Sequence, residues 1–266
     1  MSGIKQFKTY VKKFFKLFIS EKGWISLLFC VVISTLLAYV TKDDMFVYRF
    51  ETESGCFALV SACIWIGIFN SIQSVCKERK IIQHEYYSGL KLSSYILARA
   101  FFEMILCFTQ AILMLLICYF TMDFPEAGFV TQEFYLDMFI VFFVLLTVSD
   151  FLGIMVSSIC KTTTVAMTVV PFLLILQLVF SGVLFEIDGD IGRLADITIS
   201  KWGMEILGTI SNINGLPYTS GLIYEEEVYA RELAHVYNAF GMLAVFAIIY
   251  VIIAIIMLRL VKKDTR

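Results

Sequence analysis

The chain has 266 residues, 59% of them hydrophobic, and a mean hydropathy of +0.83, against the roughly 45–50% apolar share of soluble globular domains. A formal net charge of −2 excludes a strongly basic nucleic-acid binder, and seven cysteines without paired spacing exclude a disulfide framework or a zinc cluster. An all-α membrane protein is the class that remains.

Residues 1–23 open with IKQFKTYVKKFFKLF. Ile4, Phe7, Val11, Phe14, Phe15 and Phe18 recur at helical spacing, and Lys5, Lys8, Lys12, Lys13 and Lys16 fill the other face. Such a basic amphipathic helix is expected in the membrane interface, apolar side down and lysines toward anionic headgroups. Six apolar runs follow: Trp24–Val40, Cys56–Val75, Phe101–Met122, Met138–Ile159, Val165–Phe185 and Phe240–Leu258. Each is near the ~18 residues that cross a hydrocarbon core of about 30 Å as helix. The first begins late and lacks an Ala-x-Ala exit, so it is expected to stay as a span and not be removed as a signal peptide. Residues 24–266 thus form one six-span domain, without an internal repeat or a soluble module.

Orientation follows Lys and Arg in the short loops. Six basic groups lie in residues 1–23, five in 76–99, one at Lys161 and four in 259–266; the other five of the 21 fall in the alternate loops, which together hold 17 of the 23 acids. Both termini and the loop between spans two and three are therefore expected on the cytoplasmic side. Opposite them, 186–238 is the longest polar stretch. Within it KWGMEILGTI is apolar enough to re-enter the membrane edge, and YEEEVYARELAH suggests a solvated acidic helix leading into span six.

The loop of residues 76–96 is a polar island in a greasy chain. Ile72, Val75, Arg79, Ile82 and Tyr86 share a helical face, so span two is expected to continue as helix and stop at Ser88-Gly89 in a left-handed turn. A second helix, capped by the hydroxyl of Ser93 or Ser94, then runs into span three. A helical hairpin results, and on charge alone it could be only a solvated loop.

The string CKERKIIQHEYYSGLKLSSYILARAFFE resembles the first cytoplasmic loop of the membrane domains of type-2 ABC exporters with the G-subfamily arrangement. An acid followed by paired bases is Glu78, Arg79 and Lys80. His-Glu-Tyr is His84, Glu85 and Tyr86; Ser-Gly is Ser88 and Gly89; Ser-Ser-Tyr is Ser93, Ser94 and Tyr95; the acid early in the next span is Glu103. SGVLFE, with ITISKWGMEILGTI after it, is similar to the membrane halves of bacterial exporters whose ATPase half bears a forkhead-associated domain. The resemblance implies that the hairpin is a coupling helix seated in an ATP-hydrolysing subunit, with Glu78, Arg79 and Glu85 in polar contacts there and Gly89 as the bend. It also implies a homodimer, or a pair with a homologous membrane subunit, working with two ABC ATPase subunits in a bacterial inner membrane. Cargo would pass through a slit between the two membrane chains, walled by Ile66, Phe69 and Asn70 of span two and Thr168, Phe172 and Leu176 of span five. The aromatic clamp and amide of multidrug members fall here at Ile66 and Cys63, so their substrate preference does not transfer.

No G-x-x-x-x-G-K-[ST] occurs in the chain, so ATP and Mg are expected on a partner ATPase, with no cofactor or catalysis here. His84-Glu85 begins H-E-x-x-H, but residue 88 is serine. Asp150, near the middle of span four, carries a cost of about 2.5–3.5 kcal/mol at a membrane centre. It is either a proton-relay or substrate group, or a structural carboxyl hydrogen-bonded with help from Ser149 and Thr147. Glu103 is expected to join a network with Glu78, Arg79 and the N-terminal lysines. Two other classes fit the same residues: a proton-coupled secondary transporter using Asp150 and Glu103, and a scaffold or immunity protein without transport.

Overall fold

The computed structural model describes residues 3–41, 45–185, 189–218 and 226–260, and every regular element among them is helical. In chain order these are α1 (Gly3–Ser20), α2 (Ile25–Thr41), α3 (Arg49–Ser71), α4 (Ser74–Lys77), α5 (Arg79–Tyr87), α6 (Leu92–Thr121), α7 (Phe134–Ile159), α8 (Thr163–Val179), α9 (Gly189–Ala195), α10 (Ile199–Ile210) and α11 (Leu233–Leu260). Four units are long and apolar enough to cross a membrane: α3 continued by α4, α6, α7 and α11. The remaining two expected spans are shorter. α2 and α8 have 17 residues each, or about 25 Å of helix, and α2 joins α1 through a 68° bend. The expected fifth span to Phe185 is corrected: helix stops at Val179, with Phe180 as its cap.

α3 and α7 form the central seam, which α6, α10 and α11 flank. Two glycines bring the two backbones together. A Cβ on Gly67 would lie 2.6 Å from the Leu146 carbonyl oxygen, and one on Gly153 2.9 Å from that of Ile68. Small residues at helix contacts serve this purpose in membranes, where close packing replaces the hydrophobic drive. All seven cysteines are buried and unbonded to one another, the role of small hydrophobes.

Helix α6, with 30 residues, is about 45 Å long and exceeds the hydrocarbon core. Its first turns form the second limb of the hairpin. The second helix starts at Leu92 and continues unbroken through α6, as expected, but the serine cap is corrected: the N-cap is Lys91, without a side-chain cap bond. Nor does α1 keep its whole apolar stripe for lipid. Phe14 is buried edge-on to Tyr95 at 5.5 Å, and Phe7, Phe15 and Phe18 meet Phe101 or Phe102 of α6 within 5.8 Å. Only Ile4, Phe15 and Ile19 remain substantially exposed on its apolar side.

At the end opposite the hairpin, the guanidinium of Arg49 is wholly buried. It pairs with Glu226 at 2.6 Å and donates to Asn214 at 3.2 Å, while Tyr229 donates to Glu53. α10 is buried along nearly its whole length, as its apolar sequence demands. The expected acidic helix over 224–235 is corrected: Tyr224 and Glu225 lie outside the described residues, Glu227–Tyr229 is a single tight turn, and Tyr229 is buried. A tyrosine hydroxyl bonded to Glu53 fixes that turn against α3 where a solvated helix would leave it free.

Candidate functional site

The hairpin is built by local chemistry. After Ser71 the α3 ladder breaks at Ile72-Gln73, and Val75 and Cys76 give their backbone N–H groups to Ser157 Oγ of α7, at 3.0 and 3.1 Å. α5 then runs to Tyr87 and closes through Gly89, whose φ of 96° lies in the left-handed region. Leu90 N–H bonds to the Glu85 carbonyl and Gly89 N–H to that of Tyr86, both at 3.0 Å, the paired bonds that satisfy orphan carbonyls at a helix end. The left-handed stop expected at Gly89 is therefore present.

α1 clamps this turn. Gln6, 8% exposed, donates to the Gly89 carbonyl at 2.8 Å and accepts from Lys91 N–H at 2.9 Å. Tyr10 donates to Glu85 at 2.6 Å, and Lys13 pairs with Glu78 at 3.0 Å and faces Glu85 at 3.9 Å. Tyr95 of α6 also donates to Glu78. Burial, then the hydrogen bond and charge of Glu85, push the Tyr10 phenol above its ordinary value, so the donor keeps its proton. Arg79 donates to the carbonyls of Cys160 at 2.7 Å and Ser158 at 3.4 Å, a cation on the C-terminal end of α7, where the helix dipole favours it.

Seven of the eight residues the resemblance assigns to coupling divide into two sets. Glu78, Arg79, Glu85 and Gly89 hold the hairpin to α1 and α7, and Tyr86 is half-buried against the same cluster. Lys80 and His84 are exposed on the outer face of α5. Ile81 and Tyr87, 51% and 69% exposed, complete that face, and sequence reasoning missed them. Apolar and aromatic residues within a polar hairpin are the available signal. Glu103 lines the same cavity as Glu78, itself paired with Lys13, while Arg79 bonds the end of α7. The direct partner of Glu103 is Arg99, one turn earlier on α6, in a buried ion pair at 2.6 Å. Spacing decides this, since an i,i+4 partner lies within reach of a side chain inside the bundle.

Asp150 is fully buried, and both carboxylate oxygens lack a hydrogen bond. The expected support is missing: Ser149 Oγ and Thr147 Oγ1 are likewise buried without a bond, and Ser71 Oγ spends its hydrogen on the Asp150 backbone carbonyl at 2.6 Å. Along the expected slit, Thr168, Phe172 and Leu176 form an exposed stripe on α8, and Phe69 is 46% exposed. Asn70 is half-buried in a reciprocal amide pair with Gln110 of α6, at 2.7 and 3.1 Å. Ile66, however, is 5% exposed and packs in the core, because the Gly67 contact turns this part of α3 toward α7. It lines no slit in this arrangement.

A bundle with several membrane-length helices, polar hairpin limbs beyond the membrane region and an exposed stripe on a short apolar helix defines a multi-pass membrane transport component. The chain belongs to the ABC-2 type transporter family, whose model matches residues 5–210. It is also similar to the ABC transporter ATP-binding/permease protein Rv1747 of Mycobacterium tuberculosis, 23% identical over 214 residues. That match covers 76% of this chain and 25% of the relative, so the chain spans about a quarter of the curated relative it matches.

Proposed function

We propose that this chain is the permease component of an ATP-driven exporter, and that the hairpin of α4, α5 and the first turns of α6 is the element through which an ATPase moves it. The observation that carries this reading is the division of the hairpin. One side is locked to α1, α6 and α7 by the bonds of Gln6, Tyr10, Lys13 and Arg79. The other presents Lys80, Ile81, His84 and Tyr87 outward. A short helix fixed to its bundle and bare on its far face is a lever, and a motor biases a membrane domain only through contacts that differ between its states.

In this reading ATP and Mg bind the motor, whose nucleotide-binding motif this chain lacks. Two ATPase units serve two membrane chains, either copies of this chain or a homologous pair. The motor is a separate subunit or, as the name of the mycobacterial relative suggests, is joined to the permease, and it carries a forkhead-associated domain. α2, α3, α6, α7, α8 and α11 make six passes in a bacterial inner membrane. Residues 1–23 lie in its cytoplasmic interface, both termini and the hairpin face the cytoplasm, and 186–238 forms an external lid. Hydrophobic or amphipathic cargo would move between paired faces formed by Phe69, Asn70, Thr168, Phe172 and Leu176.

Reconstitution with the cognate ATPase tests this. Ile81→Asp and Tyr87→Ala should abolish the effect of the permease on hydrolysis while leaving the permease folded. Unchanged coupling in both variants would overturn the assignment. The unbonded carboxylate of Asp150 favours one competing reading, a proton-driven carrier. Transport that persists without ATP and collapses with a protonophore would establish that reading instead.

A further inference from the structure

A cavity of about 350 Å³ opens where α1 bends into α2, beneath α3, α4 and α6. Its size falls in the ~300–1,000 Å³ range of ligand sites. The walls divide by chemistry. Leu17, Phe18, Phe69 and Leu106 supply an apolar surface, and Phe69 is nearly half exposed where the cavity meets the bilayer region. Facing them is a ring of charge made by Lys77, Arg99, Glu21, Glu78 and Glu103.

Three features of that ring point to a polar ligand. Ser74 is 9% exposed and its Oγ, in the cavity wall, has no hydrogen-bond partner. Arg99 Nε is also buried without a bond. Glu78 spends only Oε2 on Lys13 and Tyr95. Buried polar atoms left open cost about 1–3 kcal/mol each, so a site carrying several in one wall gains by receiving a donor and an acceptor.

Charge then selects the ligand class. Glu21 pairs with Lys77 at 2.5 Å, Glu103 with Arg99 at 2.6 Å and Glu78 with Lys13, which stands behind the lining, at 3.0 Å, so the ring is neutral together with Lys13. A ligand of single net charge would leave a charge unmatched in a partly dry pocket, whereas a zwitterion would not. The rim pair Lys77–Glu21 is more than half exposed on both sides. Such a pair contributes about 0–1 kcal/mol and opens cheaply to take phosphate on the lysine and ammonium on the carboxylate. Two of the four rings in the wall, Phe14 and Phe102, already carry the Arg99 guanidinium, 4.9 Å and 5.7 Å from their centroids. The carboxylates of Glu21 and Glu78 are the stronger seat for the cation, and they favour a primary ammonium that can donate hydrogen bonds.

We infer that this elbow cavity binds the phosphoethanolamine headgroup of a phospholipid from the leaflet on the hairpin side, with its acyl chains leaving past Phe69. The site shares Phe69 and Asn70 with the proposed cargo faces and takes its leaflet from the proposed orientation, so in these respects it rests on that reading.

Binding of short-chain lipids to the purified full chain in a maltoside detergent, followed by native mass spectrometry and titration calorimetry, tests it. Dihexanoyl-phosphatidylethanolamine should bind saturably and at least tenfold more tightly than the matching phosphatidylcholine or phosphatidylglycerol. Free phosphoethanolamine should bind at least tenfold more weakly than the lipid; equal affinity would assign the site to a soluble ester and overturn the lipid. Lys77→Met, at an exposed position that the fold does not need, and Ser74→Leu, which fills the cavity, should each weaken binding at least fivefold. Lys80→Met, the same charge change on the outer face of α5, should not. Indifference to headgroup, or equal loss in Lys77→Met and Lys80→Met, would refute the site.

Discussion

Tyr10→Phe removes one hydroxyl and leaves the ring, so it isolates the bond from α1 to the hairpin. A hydrogen bond to a charged acceptor contributes about 1.5–3 kcal/mol when buried, but the side chain of Glu85 is 33% exposed, and water can replace the lost donor. The expected loss is therefore about 1 kcal/mol, close to a fivefold change in the local opening equilibrium. Two measurements read it. Amide exchange over residues 3–20 should speed up about fivefold, with α7 unaffected. A double-mutant cycle with Glu85→Gln, followed by denaturant unfolding in mixed micelles, should return a coupling energy near the same ~1 kcal/mol. The raised Tyr10 phenol adds a pH signature. Below the unfolded tyrosine value of about 10 the contribution is complete, and it fades as pH rises through the higher folded value, so wild type and Tyr10→Phe should converge in strong alkali. Zero coupling together with unchanged exchange in α1 would show that this helix does not hold the hairpin, and the lever reasoning would fall with it.

Gly89→Ala should lower stability by about 1–2 kcal/mol, and Gly89→Asn by less. Nothing lies within 4 Å of the added Cβ, so the cost is conformational and thermal unfolding should rank the variants by left-handed propensity. Gly67→Ala and Gly153→Ala meet backbone carbonyl oxygens that cannot move aside, and each should cost about 1–3 kcal/mol as α3 and α7 are pushed apart. Equal melting temperatures for wild type and both variants would contradict the seam. Burial raises the Glu205 carboxyl, against the opposing pull of Lys201 and His235. Its protonated form is the one favoured by folding, so stability should fall as pH rises from about 4.3 through the raised folded value. Glu205→Gln should flatten that part of the pH–melting profile.

What could be known from the order of residues was what local rules fix. Apolar run length located the long helices, and α7 and α11 contain the runs expected for them. A glycine after a helical pattern located the left-handed stop at Gly89, because a φ of 96° is a property of one residue and its two neighbours. Rotation of each helix about its axis was not available. Lipid tails and protein cores are equally apolar, so nothing in a run such as ACIWIGIFN tells a lipid-facing side chain from a buried one, and of the two residues expected on the slit Phe69 stays exposed while Ile66 turns into the core beside the Gly67 contact with α7. The same holds for charge. Glu78, Lys80, His84 and Glu85 form one polar patch in the string, and only the seating of α1 by Gln6, Tyr10 and Lys13 decides which of them hold the hairpin and which remain outside. Chain order thus determined which segments leave water. Contacts between segments far apart in sequence determined which way each one faces, because those energies depend on distances that no local pattern encodes.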